Sequence, residues 1–196
     1  MDEPQTPWLA AITLAWLSWA AAWAVLSQGV KPVVRHESRA SRALHVVPLV
    51  VGGVLLIKQH GLGWLGTDIV PRAAWMAPAG CAVTFAGLAF AVWARLVLGG
   101  NWSGTVTVKR GHELVRTGPY ALVRHPIYTG MLTGLLGTAL AVDAWRALAA
   151  FVIVTVAFLR KLRTEEAFMR AEFGAAYDTY RAEVPALVPR LWRRLG

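Results

Sequence analysis

The chain has one cysteine, Cys81, and little charge: 16% of its 196 residues are Asp, Glu, Lys or Arg, and 11 are acidic. A single cysteine excludes an intrachain disulfide and a multi-cysteine metal site, and its place inside an apolar run makes it a small packing residue. The histidines do not supply a metal site either. His36, His45 and His60 are scattered without ligand spacing, and His112 with His125 is too thin a set for zinc. Scarce charge, together with 56% hydrophobic residues and a mean hydropathy of +0.47, excludes an ordinary soluble domain. A basic n-region is missing too: Asp2 and Glu3 stand before the first apolar run and no small-residue cleavage site follows it. That run is expected to stay as a membrane anchor. The net charge of +9 lies in short clusters between apolar runs, not in a continuous stripe, which argues against nucleic acid.

What the chain does have is apolar sequence of membrane-spanning length. A helix of roughly 20 apolar residues crosses the ~30 Å hydrocarbon layer, and 8–26 meets this without a charge. The run 43–57 is shorter, but Arg42 and Lys58 can extend it by snorkelling, and 73–98 is long. The run 127–159 is too long for one crossing and is interrupted by Asp143 and Arg146, which predicts a tight hairpin of two short helices turning near Asp143. The expectation is an all-α integral membrane protein, a single domain over 1–196 with five transmembrane helices. Cytoplasmic loops hold the excess of Lys and Arg. Five spans place seventeen of the 20 basic residues on one side, leaving Lys58, Arg72 and Arg146 on the other. The N-terminus then faces outward and the C-terminus the cytoplasm. Gly130, Gly134 and Gly137 form a small-residue stripe, read as close packing inside the hairpin of spans four and five.

Two polar segments flank that hairpin. TGPYALVRHPIYTG (117–130) carries Arg124 and His125 between Pro119 and Pro126, which fix φ and push Gly118 and His125 toward extended backbone. Irregular polar backbone at membrane depth is tolerated mainly where it lines a cavity, while basic residues there also suit headgroups; these residues alone fit both readings equally. RKLRTEEAFMRAEFGAAYDTY (160–180) follows span five on the same side of the membrane. Its apolar residues recur at three- and four-residue spacings, which predicts a cytoplasmic C-terminal amphipathic helix. Lys161 and Glu165 lie one turn apart on it.

The order GHELVRTGPYALVRHPIYTG, two short spans, RTEEAFMRAEFGAAYDTY and VPALVP resembles the isoprenylcysteine carboxyl methyltransferase family over roughly 99–189. The resemblance implies a membrane-embedded enzyme that passes a methyl group from S-adenosylmethionine to a lipid-like or prenylated small substrate in the bilayer. Carried over by position, the cofactor meets His112, Glu113, Leu114, Val115, Tyr120, His125, Pro126, Ile127, Tyr128 and Glu165. The catalytic candidates are Arg124, Lys161 and Arg163, and the cation that meets the acceptor is one of Lys161, Arg160 and Arg163. Members tend to have an arginine four residues before the first of the paired glutamates, and this chain has Lys161 there. No metal and no nucleic acid is implied.

The residues suit that chemistry. A C-terminal carboxylate is ionised at neutral pH, so no strong base or covalent nucleophile is required, and the protein's task is alignment and removal of water. The cofactor's ammonium and carboxylate complement Glu165 and the Arg124–His125 pair, and Tyr120 and Tyr128 can enclose its rings. The Leu114–Val115 backbone can present N–H and C=O groups to adenine. Other readings are a phospholipid amine N-methyltransferase, whose acceptor must lose a proton first, a sterol-reductase-like NADPH enzyme, and a scaffold without chemistry.

Overall fold

The computed structural model describes residues 6–28, 33–36, 38–58, 61–102, 107–109 and 113–190. Helix α1 runs Thr6–Leu26, α2 Arg39–Ile57, α3 Met76–Leu98, α4 Pro119–Leu122, α5 Pro126–Val142, α6 Trp145–Phe173 and α7 Ala175–Glu183. Strands β1 (Val33–His36) and β2 (Thr107–Lys109) form one antiparallel pair. This pair departs from the all-α expectation: the loops after α1 and α3 satisfy part of their backbone by pairing with each other.

Three helices, within 7–26, 40–57 and 76–101, are long and apolar enough to cross a membrane, and α5 is a shorter apolar helix. The predicted break is where the sequence places it. Asp143 ends α5 with a left-handed φ of 44°, its N–H bonded to Ala139 O, and α6 restarts at Trp145. Pro126 and Pro119 occupy the first turns of α5 and α4, where the missing N–H costs nothing. Ser38 caps α2, its hydroxyl accepting from Ser41 N at 3.1 Å.

The C-terminal segment differs from the expected separate amphipathic helix. α6 continues unbroken through 160–173, so its apolar first part and the first part of the tail are one rod of 29 residues, about 44 Å long. Gly174, at φ 52°, breaks it and starts α7. A rigid continuation means that the glutamates of the tail are aimed by the packing of the apolar part of α6.

The glycine stripe also has another partner than expected. α5 packs most extensively on α3, not on α6. A Cβ on Gly87 would lie 2.4 Å from Gly134 N, and one on Gly130 would lie 2.5 Å from Gly87 O. Gly80 and Gly137 meet in the same way further along. This is helix association by close backbone approach, as expected where lipid offers no hydrophobic drive. Threonines reinforce it: Thr84 Oγ1 of α3 lies 3.2 Å from Gly134 O and 3.3 Å from Thr138 Oγ1 of α5. Trp16 Nε1 then joins α1 by donating to Thr138 Oγ1 at 3.0 Å.

α2 packs on α6. Arg146, expected only as an interruption between spans, is buried and donates to Leu55 O at 3.0 Å and Leu56 O at 2.7 Å, satisfying carbonyls at the end of α2. At the opposite end, Arg95 donates to Leu26 O and to Gly99 O at 2.8 Å and sits over the Trp102 ring, tying the ends of α1 and α3 together.

Candidate active site

The segment 117–130 is neither a long helix nor a free loop. α4 is one turn, Val123 and His125 around Arg124 are extended or irregular, and the backbone is stitched to the C-terminal segment. Arg124 N donates to Pro185 O at 2.8 Å, His125 N to Ala186 O at 3.0 Å, and Thr129 Oγ1 to Leu187 O at 2.7 Å. Tyr180 of α7 adds a hydrogen bond from its hydroxyl to Tyr120 O at 2.6 Å. The VPALVP stretch is therefore a strap lying along the polar loop.

Across the loop stands the extension of α6 beyond its apolar part. Tyr128, near the start of α5, donates its hydroxyl to Glu165 Oε1 at 2.5 Å. His125 Nδ1 lies 3.6 Å from Glu165 Oε2, and its Nε2 lies 3.3 Å from Glu166 Oε1. Lys161 Nζ is 3.9 Å from Glu165 Oε1 and 5.6 Å from the centre of the Tyr128 ring. The His125 and Tyr128 rings are nearly parallel, 6° apart, and Tyr128 stacks on Phe158. Two segments nearly forty residues apart in the chain thus meet as one charged cluster.

Burial and charge act against each other here. Burial alone pushes the His125 pKa down, but the paired carboxylates of Glu165 and Glu166 outweigh it and raise it above the ordinary value. Burial pushes both glutamates up, and their partners reverse that. Glu165 is lowered by His125, Lys161 and Tyr128, and Glu166 is held down to about 2 by His125 and Arg124. Burial raises the Tyr120 and Tyr177 hydroxyls well above the ordinary tyrosine range, and Tyr180 to about 12. These tyrosines stay neutral, and Tyr180 donates to Tyr120 O.

The cluster walls a cavity of about 400 Å³, within the usual ~300–1,000 Å³ of small-molecule sites. Of the residues expected to meet the cofactor, Glu113, Leu114, Val115, Tyr120, His125, Pro126, Ile127, Tyr128 and Glu165 line it. His112 lies outside the described residues. Of the expected catalytic residues, Arg124 and Lys161 line the cavity. Arg163 does not: it is exposed, turned from the cavity because it is two residues beyond Lys161 on a helix. Arg124 spends its donors structurally, on Glu166 Oε1 and on the carbonyls of Arg181 and Val184.

Sequence reasoning missed the far wall. Trp19 and Trp23 of α1, Leu49 of α2, and Met131 and Phe158 deeper in the hairpin complete the cavity. Trp16, Trp19, Trp23 and Trp102 form a continuous edge-and-face ladder along one side. Three tryptophans at i, i+3 and i+7 of α1 were the available signal, since that spacing puts them on one helix face.

An apolar helical assembly with a charged, ring-lined cavity at one end defines a multi-pass membrane protein with a small-molecule site. Residues 80–171 match the isoprenylcysteine carboxyl methyltransferase (ICMT) family. The protein-S-isoprenylcysteine O-methyltransferase of Schizosaccharomyces pombe is 36% identical over 99 residues, 49% of this chain and 42% of that protein. The cobalt-zinc-cadmium resistance protein CzcN of Cupriavidus metallidurans is 32% identical over 164 residues, 81% of this chain and 66% of that protein. Among solved structures, that of the eukaryotic intramembrane Ras methyltransferase ICMT shares the fold. Its TM-score is 0.66 at 21% identity, over 96% of this chain and 68% of that one. The chain thus spans less than half the length of the yeast relative. The match to the isoprenylcysteine carboxyl methyltransferase family model covers a little under half of the chain, which is similar to that family over this stretch.

Proposed function

We propose that this protein is an S-adenosylmethionine-dependent carboxyl O-methyltransferase acting on an amphiphilic, isoprenylcysteine-like acceptor at the membrane. In this reading it has five spans, with the N-terminus outside and the C-terminus and the site at the cytoplasmic face. The whole chain works as one domain, its chemistry carried by about 99–189. The observation that carries the reading is the meeting of the polar loop and the α6 extension around one cavity, with Tyr128 bonded to Glu165 at 2.5 Å.

The residues present fit the cofactor. Glu165 offers a carboxylate to its ammonium, His125 a cation to its carboxylate, Tyr120 and Tyr128 rings to its planar base, and Leu114–Val115 backbone polar groups. When bound, S-adenosylmethionine supplies a methyl group already activated by its sulfonium. The chain's own part is then positional. Lys161, at the cavity edge of α6 above Tyr128, holds the acceptor carboxylate as a point charge. Phe158, Met131, Trp19 and Trp23 exclude water and accept its apolar chain, which leaves the carboxylate less hydrated and better aligned. In this account Arg124 shapes the wall and Arg163 lies at the cytoplasmic rim.

Transfer of a radiolabelled methyl group to a farnesylcysteine analogue by the purified protein tests the assignment, and the product should be released by mild alkali as a methyl ester hydrolyses. A protein that binds S-adenosylhomocysteine but methylates no such acid would overturn the acceptor class.

A further inference from the structure

The site described above leaves Glu166 without a task. It does not line the cavity, whereas its neighbour Glu165 does. Successive residues of a helix point roughly 100° apart, so the two carboxylates serve different sides of the loop. One oxygen, Glu166 Oε1, receives Arg124 Nη2 at 2.5 Å, Arg124 Nε at 3.0 Å and His125 Nε2 at 3.3 Å. The remaining Arg124 contacts go to Arg181 O at 3.1 Å and Val184 O, at the start of the strap. The His125 side chain is 9% exposed and held between Glu165 and Glu166, one carboxylate at each ring nitrogen. A neutral imidazole has one N–H and one bare nitrogen, so it would face one of these carboxylates with a lone pair. The imidazolium alone turns an N–H toward both, within hydrogen-bond distance of Glu166 at 3.3 Å and as a longer 3.6 Å ion pair with Glu165.

We propose that Glu166 is a positioning residue acting through His125: it keeps the imidazole charged on both nitrogens, so that the cavity has a fixed cation beside Glu165. With Arg124 it also fastens the C-terminal strap to the loop. The inference deepens the methyl-transfer reading, which it uses for the choice of ligand. Charged and titratable groups around His125 come from every neighbouring element. α6 contributes Glu165, Glu166 and Lys161, and the loop contributes Arg124. α5 supplies Tyr128, and α4 supplies Tyr120 near Glu165. α7 supplies Tyr177 and Arg181, which act on Glu166. Among the described residues, only Glu165 and Glu166 pair with the ring nitrogens.

The test is a titration of His125 by NMR on the full-length protein with labelled histidine, its signal assigned with His125→Gln, alongside S-adenosylhomocysteine binding by calorimetry. Glu166→Gln keeps the shape and removes the charge. It should lower the His125 midpoint by about one pH unit or more. It should leave affinity near wild type at about pH 6 and weaken it about tenfold at about pH 8. Arg124→Lys keeps the glutamate charged and should leave the midpoint nearly in place, while amides of 184–187 exchange faster. Should the glutamine variant not fold, Glu166→Asp should give an intermediate midpoint. An unmoved midpoint, or an affinity loss equal at both pH values, would overturn the proposal. Wild-type protein that bound no S-adenosylhomocysteine would sink the methyl-transfer reading, and the histidine titration would still decide this one.

Discussion

The α3–α5 contact and the charged cluster join helices in opposite ways. Between α3 and α5, Gly80, Gly87, Gly130 and Gly137 bring two backbones together with almost no side chain between them. At the charged end, Arg124, His125, Glu165 and Glu166 join the loop to α6 through long side chains and hydrogen bonds. Where hydrocarbon surrounds both helices, only close approach adds attraction, so the smallest residues win. Where water can reach, charge can be placed, and burial then makes each pair depend on its partner. One end fixes the frame with little tolerance, and the other fixes electrostatics with graded tolerance.

The largest effect should come from breaking the frame. Gly87→Leu puts a side chain where even a Cβ would lie 2.4 Å from Gly134 N. Overpacking of this kind costs about 3 kcal/mol or more, so thermal unfolding in detergent should show a large drop or no folded protein. Near wild-type stability would mean that α3 and α5 can separate without penalty, and the contrast would fail.

Next is Glu165→Ala, which removes the acceptor of the Tyr128 hydroxyl and one partner of His125. Losing a charge-assisted contact is worth about 1.5–3 kcal/mol, so S-adenosylhomocysteine affinity should fall roughly tenfold to a hundredfold with the fold intact. Calorimetry checks this, and unchanged affinity would take the cofactor away from the cluster.

Acid and alkali should separate the two ends without mutation. Glu166, held near about 2, and Glu165, also lowered, contribute stability that is complete above the ordinary carboxylate pKa of about 4.3 and is lost as pH falls through their lowered values. His125 is raised, so its contribution is complete below about 6.5 and is lost as pH rises through its folded value. Thermal midpoints should therefore form a plateau from about 5 to about 6.5 and decline on both sides. A flat profile would show that the cluster contributes nothing to folding.

Smaller still is the contrast between two faces of α6. Lys161→Ala should raise the acceptor KM about tenfold, the scale of one charge contact, while Arg163→Ala, exposed and outside the cavity, should change it less than about twofold. Equal effects would place the acceptor elsewhere. The smallest effect belongs to the exposed Asp68–Arg72 pair, 2.7 Å apart. Arg72→Ala should shift stability by less than about 0.5 kcal/mol, read from the same unfolding curves.

Much of this architecture is legible in the order of residues. The break at Asp143 follows from a run too long to cross once and interrupted by charge. The proline bracket around Arg124 and His125 marks a shaped loop. Other features are not legible because they depend on which surfaces face each other. The glycines of α5 announce a close contact without naming α3 as the partner. Glu165 and Glu166 are chemically identical in the sequence, and the assignment of one to the cavity and the other to the strap depends on the rotation of α6. The tail's continuity with the apolar part of α6 is hidden too, since a charged amphipathic stretch reads the same whether it starts a new helix or prolongs an old one.

What the amino-acid order alone determined is where the chain can leave water and where it cannot, because transfer of apolar and charged side chains is a local property summed along a segment. What only the tertiary structure decided is which charges meet, and with what protonation. Those depend on distances of a few ångströms between residues far apart in sequence, set by the helices that carry them.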